Sequence, residues 1–241
     1  MVVFDIAGTT VRDDDAVNTC LREALGVFTP VSRADVNQVM GLPKKEAIRH
    51  LLKPIHGREM GIREELVDSI HDDFVARMLK HYRTSPLVEP MPHAMETLDQ
   101  LKKAGLKLAL DTGFSRAIVD AILTRLDWKG SKIFDATVAS DEVPRGRPHA
   151  DLIFKAMALT GATDPHRVAK VGDTPSDLME GTAAGCGLVV GVTNGTHTRG
   201  ELAVHPHTHL ISDLRELPAI VLAESHVTKG DSGRSVNPLL A

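Results

Sequence analysis

A small set of polar side chains stands where apolar runs of the sequence end, and their types suit chemistry on an anionic group. Asp5 and Asp173 each follow such a run, and so does Thr112, whereas Arg147 stands just before a helix-like segment. An aspartate on such a loop can act as a nucleophile or a metal ligand, although a lone Asp5 would fit a turn equally well. Acidic oxygen ligands favour Mg²⁺ over zinc, and a guanidinium with a hydroxyl suits a phosphoryl group.

These residues can meet only if the strands before them end at one edge of a sheet. The apolar runs are short and alternate with helix-like segments, which predicts β-α units and a parallel sheet with right-handed crossovers. Ligands of such sheets gather at the carboxyl ends of the strands. The predicted strands are Met1–Phe4, Leu106–Leu110, Ala136–Ala139, Val168–Val171 and Leu188–Val192, and the predicted helices include Ser115–Leu126, His149–Leu159 and Ser176–Ala184.

One long stretch, from about Asp14 to Ser85, interrupts this alternation with helical periodicity and no convincing strand. Its apolar residues recur at helical spacing on one side of each segment, as in helices that pack together. We therefore predict an α/β fold with a Rossmann-like core at residues 1–13 and 87–227, an inserted α-helical cap at 14–86, and a disordered tail at 228–241. The apolar faces of the cap are predicted at Val17, Leu21, Ala24 and Leu25, and at Leu66, Ile70, Phe74, Met78 and Leu79.

The composition excludes several classes of protein. Of the 241 residues, 42% are hydrophobic and 25% are charged, which is typical of a folded globular chain. A net charge of −4 and 3% aromatic residues disfavour nucleic acid as a partner. No apolar run approaches the roughly 20 residues that span a bilayer, and no secretion signal is evident. Two distant cysteines, Cys20 and Cys186, favour a reducing cytoplasm over a disulfide framework.

Four motifs in order make the sequence resemble the haloacid dehalogenase superfamily across the whole core. That resemblance implies an aspartyl-phosphate on Asp5, formed by direct attack of the carboxylate on phosphorus. It also implies Mg²⁺ held by Asp5, the backbone carbonyl of Ala7 and Asp173, with Asp177 supporting the metal ligands. Thr112, Gly113 and Arg147 would hold the phosphoryl oxygens. The motifs are Phe4-Asp5-Ile6-Ala7-Gly8-Thr9-Thr10, Leu110-Asp111-Thr112-Gly113, Gly146-Arg147-Pro148 and Gly172-Asp173-Thr174-Pro175-Ser176-Asp177.

Two positions depart from the usual superfamily pattern. Typical members carry an aspartate where this chain has Ala7, and that aspartate protonates the leaving alkoxide. They also carry lysine where this chain has Arg147. Because a general acid commonly contributes about 10²–10⁴-fold to the rate, either activity is lost or the leaving group is activated in another way.

The predicted cap offers a candidate for that activation. Helical spacing places Lys44 on the apolar side with Ile48 and Leu52, and it places Lys45 on the polar side with Arg49. A partly desolvated lysine loses its proton more easily, and the free amine can form a Schiff base with a carbonyl. The alternative is that Lys44 snorkels from an ordinary amphipathic helix.

The combination of Asp5-x-Ala7-Gly8-Thr9, Gly146-Arg147-Pro148 and Met40-Gly41-Leu42-x-Lys44 resembles the phosphonoacetaldehyde hydrolase (phosphonatase) family and its close relatives. That resemblance implies an imine between Lys44 and the substrate aldehyde, with Met40 in the active site. Cleavage of the C–P bond would then expel an enamine, so no acid is needed at Ala7. The chain departs from phosphonatase at three cap-side positions, with Ala47 for a histidine, Phe114 for a tyrosine and Asp15 for a cysteine, which leaves a neighbouring 2-oxoethylphosphonate open as the substrate.

Two other functions remain open. The same scaffold could serve a phosphomonoester phosphatase of the sugar phosphate or phosphoglycolate type, with Lys44 only binding substrate. It could also serve a non-catalytic protein that binds a phosphorylated ligand. The expected partners are a small phosphonate and, by resemblance, a second copy bound through the cap. We interpret Asp13-Asp14-Asp15 as a solvated hinge and helix start, and His205, His207 and His209 as a surface loop.

Overall fold

A computed structural model of the chain describes residues 1–56 and 61–230, and its centre is a sheet of six parallel strands. The strand order is β3-β2-β1-β4-β5-β6, so β1 lies between β2 and β4. The strands are β1 (Val2–Phe4), β2 (Leu108–Asp111), β3 (Ala136–Val138), β4 (Ala169–Gly172), β5 (Leu188–Val192) and β6 (His209–Ile211).

The register of the strands decides which loops become neighbours. Phe4 pairs with Leu110 on one side and with Val171 on the other. The residues that follow these three positions therefore emerge side by side at the carboxyl edge of the sheet. Asp5 lies in the middle of that edge, as the alternation of apolar runs predicted.

The predicted parallel α/β sheet is confirmed, with corrections to individual strands. The second strand begins at Leu108 and includes Asp111, so it is shifted along the chain from Leu106–Leu110. The interpretation of His209 as part of a surface loop was wrong, because it begins β6. That strand has only three residues and lies at the sheet edge beside β5, so alternation gives little signal there.

Helices cover the sheet and fill the stretch between β1 and β2. Four of them lie in the predicted cap, and α1 and α4 pack against each other there through apolar faces that include Leu21 and Phe74. Of the residues predicted to form the apolar faces of the cap, Leu66 and Leu79 are only partly buried and the others are buried. The helices of this stretch are α1 (Ala16–Gly26), α2 (Arg33–Asn37), α3 (Lys44–His56), α4 (Glu64–Thr84) and α5 (Ala94–Lys103).

The remaining helices follow the later strands, and α4 packs on α6 of the sheet layer. The tail predicted from Thr228 overlaps the end of α11, and residues 231–241 lie outside the described residues. Within the described residues, every helix is too short or too polar to cross a bilayer. These helices are α6 (Arg116–Arg125), α7 (Trp128–Ser131), α8 (Asp151–Thr160), α9 (Pro175–Ala184), α10 (Arg199–Ala203) and α11 (Leu217–Gly230).

Candidate active site

Asp5 is buried at the carboxyl end of β1, where the chain turns sharply. Its backbone N–H donates to the carbonyl of Val171 at 2.9 Å, and the hydroxyl of Thr10 donates to the carbonyl of Asp5 at 2.9 Å. These bonds fix the carboxylate at the strand end. One of its oxygens, Oδ1, accepts a hydrogen bond from the Arg147 guanidinium at 2.7 Å.

Arg147 is the largest fully buried side chain of the described residues, and its guanidinium contacts four carboxylates. It donates to Asp5, to Glu180 at 2.9 Å and to the backbone carbonyl of Asp111 at 2.9 Å, and it also contacts the Asp111 carboxylate. Its distance to Asp177 is 2.9 Å. A planar guanidinium with several donors suits such a buried crossing point better than an ammonium does.

Lys170 is a second buried cation, and it shares three carboxylate partners with Arg147. It lies within β4 and is completely buried, with its Nζ 2.9 Å from Glu180, 3.2 Å from Asp177 and in contact with Asp111. Sequence reasoning missed Asp111, Lys170 and Glu180. A lysine inside an otherwise apolar parallel strand was the available signal, because a fully buried lysine requires an acidic partner.

The formal charges in this cluster do not balance. Among the described residues, four carboxylates contact two cations, so full ionisation would leave two negative charges in excess. Burial, opposed by Arg147, raises the pKa of Asp5 to about 7. Burial, together with the Asp111 charge, also raises the pKa of Glu180. For Asp177 burial acts in the same direction, but Arg147 and Lys170 outweigh it and hold its pKa below the usual value.

The oxygens of Asp5, Asp111 and Asp177 all lie within 4.8 Å of one another and could hold a metal ion. However, Arg147 and Lys170 both contact Asp111 and Asp177. Because two cations already occupy the space between these oxygens, we regard this triad as an ion-pair cluster.

Asp173 lies at the end of β4, inside a cradle of glycine and threonine. Its carboxylate accepts hydrogen bonds from the Thr9 hydroxyl at 2.9 Å and from the Thr196 N–H at 2.6 Å. A Cβ on Gly8 would lie 2.3 Å from its Oδ2, and one on Gly195 would lie 2.5 Å from it. Burial raises the pKa of Asp173 to about 6. The backbone after Ala7 can approach this carboxylate only because these positions lack side chains.

Thr112 and Gly113 follow β2 on the other side of Asp5. The Thr112 hydroxyl is buried and accepts a hydrogen bond from the Phe114 N–H at 3.2 Å, which leaves its own proton available for a ligand. A Cβ on Gly113 would lie 2.7 Å from the carbonyl oxygen of Leu42. The Thr112-Gly113 turn therefore contacts the chain that leads into α3.

The segment from Met40 to Lys44, which we call the cap loop, is seated on the strand-end loops. Gly41 has a φ of +82°, and a Cβ there would lie 2.4 Å from the Thr174 hydroxyl. The hydroxyl of Ser176 donates to the carbonyl of Met40 at 3.3 Å. This close seating carries the first turn of α3 toward the carboxyl edge of the sheet.

Lys44 begins α3 and faces inward, whereas Lys45 is exposed and pairs with Asp68 at 2.7 Å. The helical spacing predicted this difference. The Lys44 side chain is 5% exposed, and its Nζ lies 5.5 Å from the centre of the Phe114 ring and 3.4 Å from the Leu42 carbonyl. Burial lowers the pKa of Lys44 to about 8, against the opposing charge of Asp5.

A cleft of about 320 Å³ opens beside the nucleophile loop and is lined by Gly8, Asp13 and Met40. A larger cavity of about 620 Å³ lies beside Met1 and Leu188 and includes none of the candidate site residues. The smaller cleft is the better candidate for substrate access, because it contains Gly8 and Met40 and lies at the carboxyl end of the strands, where ligands of parallel sheets bind.

The structure corrects part of the interpretation of Asp13-Asp14-Asp15. Asp14 is exposed and Asp15 pairs with Arg33 at 2.8 Å before α1 begins, which fits a solvated hinge. Asp13 is only half-exposed, and its Oδ1 accepts a hydrogen bond from the Val17 N–H at 3.0 Å. Burial raises the pKa of Asp13 to about 6, so this side chain is not an ordinary solvated carboxylate.

The chain is similar in sequence and fold to known proteins. A family model described as haloacid dehalogenase-like hydrolase matches residues 2–191. A phosphonoacetaldehyde hydrolase of Bacteroides fragilis is 29% identical over 237 residues, covering 92% of this chain and 88% of that protein. A phosphonoacetaldehyde hydrolase-like protein of Oleispira antarctica has a TM-score of 0.80 at 20% identity, covering 95% of this chain and 94% of its own. A structure titled a predicted phosphoglycolate phosphatase from Haemophilus somnus has a TM-score of 0.72 at 22% identity, covering 91% and 96%.

Proposed function

The chain belongs to the haloacid dehalogenase-like hydrolases, and from that premise we propose that it hydrolyses the C–P bond of phosphonoacetaldehyde or of a closely related 2-oxoethylphosphonate. One observation carries the proposal. A buried lysine of lowered pKa, Lys44, lies in the electrostatic field of Asp5, while Ala7 stands where an ester-cleaving relative needs an acid. An amine that accepts electrons from the breaking bond accounts for both features.

In this proposal Lys44 activates the carbon side of the C–P bond and Asp5 attacks the phosphorus. The Lys44 amine forms a protonated imine with the substrate aldehyde and releases water. An oxygen of Asp5 then bonds to phosphorus as the C–P bond breaks, and the electron pair of that bond moves to the imine nitrogen and leaves an enamine. Attack of water on the aspartyl-phosphate releases phosphate and restores Asp5. Enamine protonation and hydrolysis release the aldehyde product and free Lys44.

We assign binding of the phosphoryl group to Thr112, Gly113 and Arg147. The free proton of the Thr112 hydroxyl and the guanidinium bound to Asp5 support this assignment, because both are donors at the same strand edge. Met40 would form part of the substrate pocket, since it is buried and lines the cleft beside Gly8.

The residues present fit a bound Mg²⁺. The glycine cradle around Asp173 brings the backbone beside Ala7 close to a carboxylate, and the buried cluster contains more carboxyl groups than cations. Asp5, the Ala7 carbonyl and Asp173 would hold the ion, and Asp177 would support them. When bound, Mg²⁺ would offset the repulsion between Asp5 and an anionic phosphoryl group.

The substrate class rests partly on relatives. The Bacteroides fragilis protein carries the name phosphonoacetaldehyde hydrolase. The cap side of this chain has Ala47, Phe114 and Asp15, so the substrate class is drawn more widely than that one aldehyde. We propose a 2-oxoethylphosphonate, including a hydroxylated one, as the class. A phosphomonoester phosphatase is the second candidate, supported by the phosphoglycolate phosphatase fold neighbour, and Ala7 argues against it. A non-catalytic phospho-ligand binder is a third, weaker candidate.

Phosphate release across a panel of phosphonates and phosphate esters tests the proposal. We expect release from phosphonoacetaldehyde, dependent on Mg²⁺ and abolished in Asp5→Asn, with little turnover of phosphoglycolate or sugar phosphates. Borohydride added during turnover should attach the substrate carbon to Lys44. Strong turnover of the esters without a Lys44 adduct would support the phosphatase instead, and tight binding without phosphate release would support the binder.

We also propose a cytoplasmic homodimer that associates through the cap. The two described cysteines are free thiols, and the end of α1 exposes two apolar residues, Val27 and Phe28. Sedimentation of the wild type and of Phe28→Ser over a range of concentrations tests the dimer. A monomer at all concentrations would reject it.

A further inference from the structure

Lys44 is buried although it forms no ion pair with any of the described residues. Its Nζ contacts the Leu42 carbonyl through one long hydrogen bond of 3.4 Å, and it lies over the ring of Phe114, 5.5 Å from the ring centre. A buried ammonium without a carboxylate partner needs another source of negative charge density. The Phe114 ring supplies it, because the face of an aromatic ring attracts a cation within about 6 Å of its centre.

The Phe114 ring is fixed by the core of the protein. The Phe114 carbonyl accepts hydrogen bonds from the N–H and the hydroxyl of Ser140, at 2.8 and 3.0 Å, and the Phe114 N–H donates to the Thr112 hydroxyl at 3.2 Å. The side chain is buried and packs against the Tyr82 ring, with 6.1 Å between the ring centres and 73° between the ring planes. The ring therefore has a defined position relative to the loop that bears Thr112.

The lysine and the ring belong to different parts of the fold. Lys44 begins α3 of the cap, whereas Phe114 follows β2 of the core. They meet where the cap loop contacts the core, since a Cβ on Gly113 would lie 2.7 Å from the same Leu42 carbonyl oxygen that the Lys44 Nζ contacts. The contact between the ring and the nitrogen therefore depends on the seating of the cap loop.

The proposed reaction needs a positive charge on the Lys44 nitrogen. The imine accepts electrons from the C–P bond only while it is protonated, and its nitrogen is the same atom that lies over the ring as an ammonium. Burial disfavours the charged forms of this side chain and lowers the pKa of Lys44 to about 8. Because a ring face attracts a cation more strongly than a neutral amine, Phe114 offsets part of the cost of burial for the form that the reaction uses.

We propose that Phe114 is a positioning residue for the Lys44 nitrogen and that its ring face stabilises the protonated imine, an inference that rests on the proposed function. Phe114 acts through Lys44, and none of its own bonds changes during the reaction. The effect of the ring is to raise the fraction of the enzyme that is held as the protonated imine. An aliphatic side chain of similar size would fill the same space without this attraction.

The test replaces Phe114 alone by phenylalanines that carry one, two or three fluorine atoms on the ring. Each fluorine withdraws electron density from the ring face and changes the size of the ring little, so the series weakens the attraction for a cation stepwise. The same replacements at Phe74 are the matched control, because that ring is buried in the cap and has no cation over its face among the described residues. Melting temperatures check that every variant folds.

The first measurement is the pKa of Lys44, followed by NMR of ¹³C-labelled lysine with Mg²⁺ present and without substrate. The Lys44 signal is identified by its loss in Lys44→Arg. The charged side chains that act on this nitrogen, Asp5, Asp13 and Arg147, are the same in every variant. The pKa of Lys44 should fall stepwise, by roughly 0.5–1 unit from the native ring to the ring with three fluorines. It should not move in the Phe74 series.

The second measurement is borohydride labelling of Lys44 with phosphonoacetaldehyde at about pH 9.5, above the pKa of Lys44 in every variant. Because borohydride reduces the protonated imine, labelling should fall roughly three- to tenfold across the Phe114 series. Constant labelling across that series would overturn the inference and leave the proposed function intact, and so would a pKa of Lys44 that does not respond to fluorination. Absence of a Lys44 adduct in the wild type would overturn both.

Discussion

The ionisation of Lys44 gives the sharpest prediction, because its magnitude follows from burial. With a pKa of about 8 instead of the 10.5 of an exposed lysine, the free amine at pH 7 is about one molecule in ten instead of about one in 3000. Burial therefore enriches the reactive form about 300-fold at neutral pH. Lys45, one residue later but exposed and paired with Asp68, provides a comparison within the same helix.

The assay is borohydride trapping with phosphonoacetaldehyde at a series of pH values, followed by peptide mapping. Below pH 8 the rate of Lys44 labelling should rise about tenfold per pH unit as the ammonium loses its proton, and it should level off above pH 8. Lys44→Arg should lose both label and turnover, since a guanidinium stays protonated. Lys45→Gln should keep both.

Three results would refute the reasoning. A labelling midpoint near 10.5 would mean that Lys44 is solvated in the working protein. Preferential label on Lys45 would mean that α3 presents its other face. Full turnover in Lys44→Arg would mean that the reaction needs no imine.

Further predictions concern stability and the seating of the cap loop. Lys44→Met should be more stable than the wild type by up to about 3 kcal/mol below pH 8, as urea unfolding would measure. The unfolded wild type binds more protons between its folded pKa of about 8 and 10.5, so its stability rises through that window and the advantage of the variant shrinks. Arg147→Met should lower the unfolding free energy by about 3–5 kcal/mol, because four buried carboxylates lose a shared cation, and an unchanged denaturation midpoint would contradict the cluster. Gly41→Ala should abolish turnover, because the added methyl group would push the cap loop away from Thr174. Gly105→Ala has a similar φ of +80° but open space around it, so it should lose stability and keep turnover. Equal activity of the two variants would contradict the close contact between the cap loop and Thr174. Tyr82→Phe should leave stability unchanged or raise it by about 1 kcal/mol, since the lost hydroxyl has no hydrogen-bond partner among the described residues, and a large drop in melting temperature would reveal a bound water.

The fold was predictable from sequence to the extent that its signals are local. The apolar runs before Asp5 and Asp173 predicted strands, and helical spacing separated buried Lys44 from exposed Lys45. The strand containing His209 was missed because it is short and lies at the edge of the sheet. There, neither burial on both faces nor alternation leaves a clear pattern.

Much of the site was not predictable in the same way. Asp111 lies at least 59 positions from Lys170 and Glu180, and the three residues belong to three different elements. They meet because β2 and β4 flank β1 in the sheet and α9 follows β4. Ion pairing between such residues depends on strand order and register, which periodicity does not encode. Asp13 resembled its two acidic neighbours in sequence, and only its burial and the hydrogen bond that it accepts from the Val17 N–H distinguished it.

The sequence by itself therefore determined the order of the first five strands along the chain, the motif residues that follow them, and the inward face of α3. Those features depend on the spacing of residues that are close in the chain. Tertiary structure alone decided which charges share the buried cluster and which glycines admit the cap loop. It also decided how far each carboxylate is removed from water, because burial and the distance between remote groups exist only after the sheet and the helices have packed.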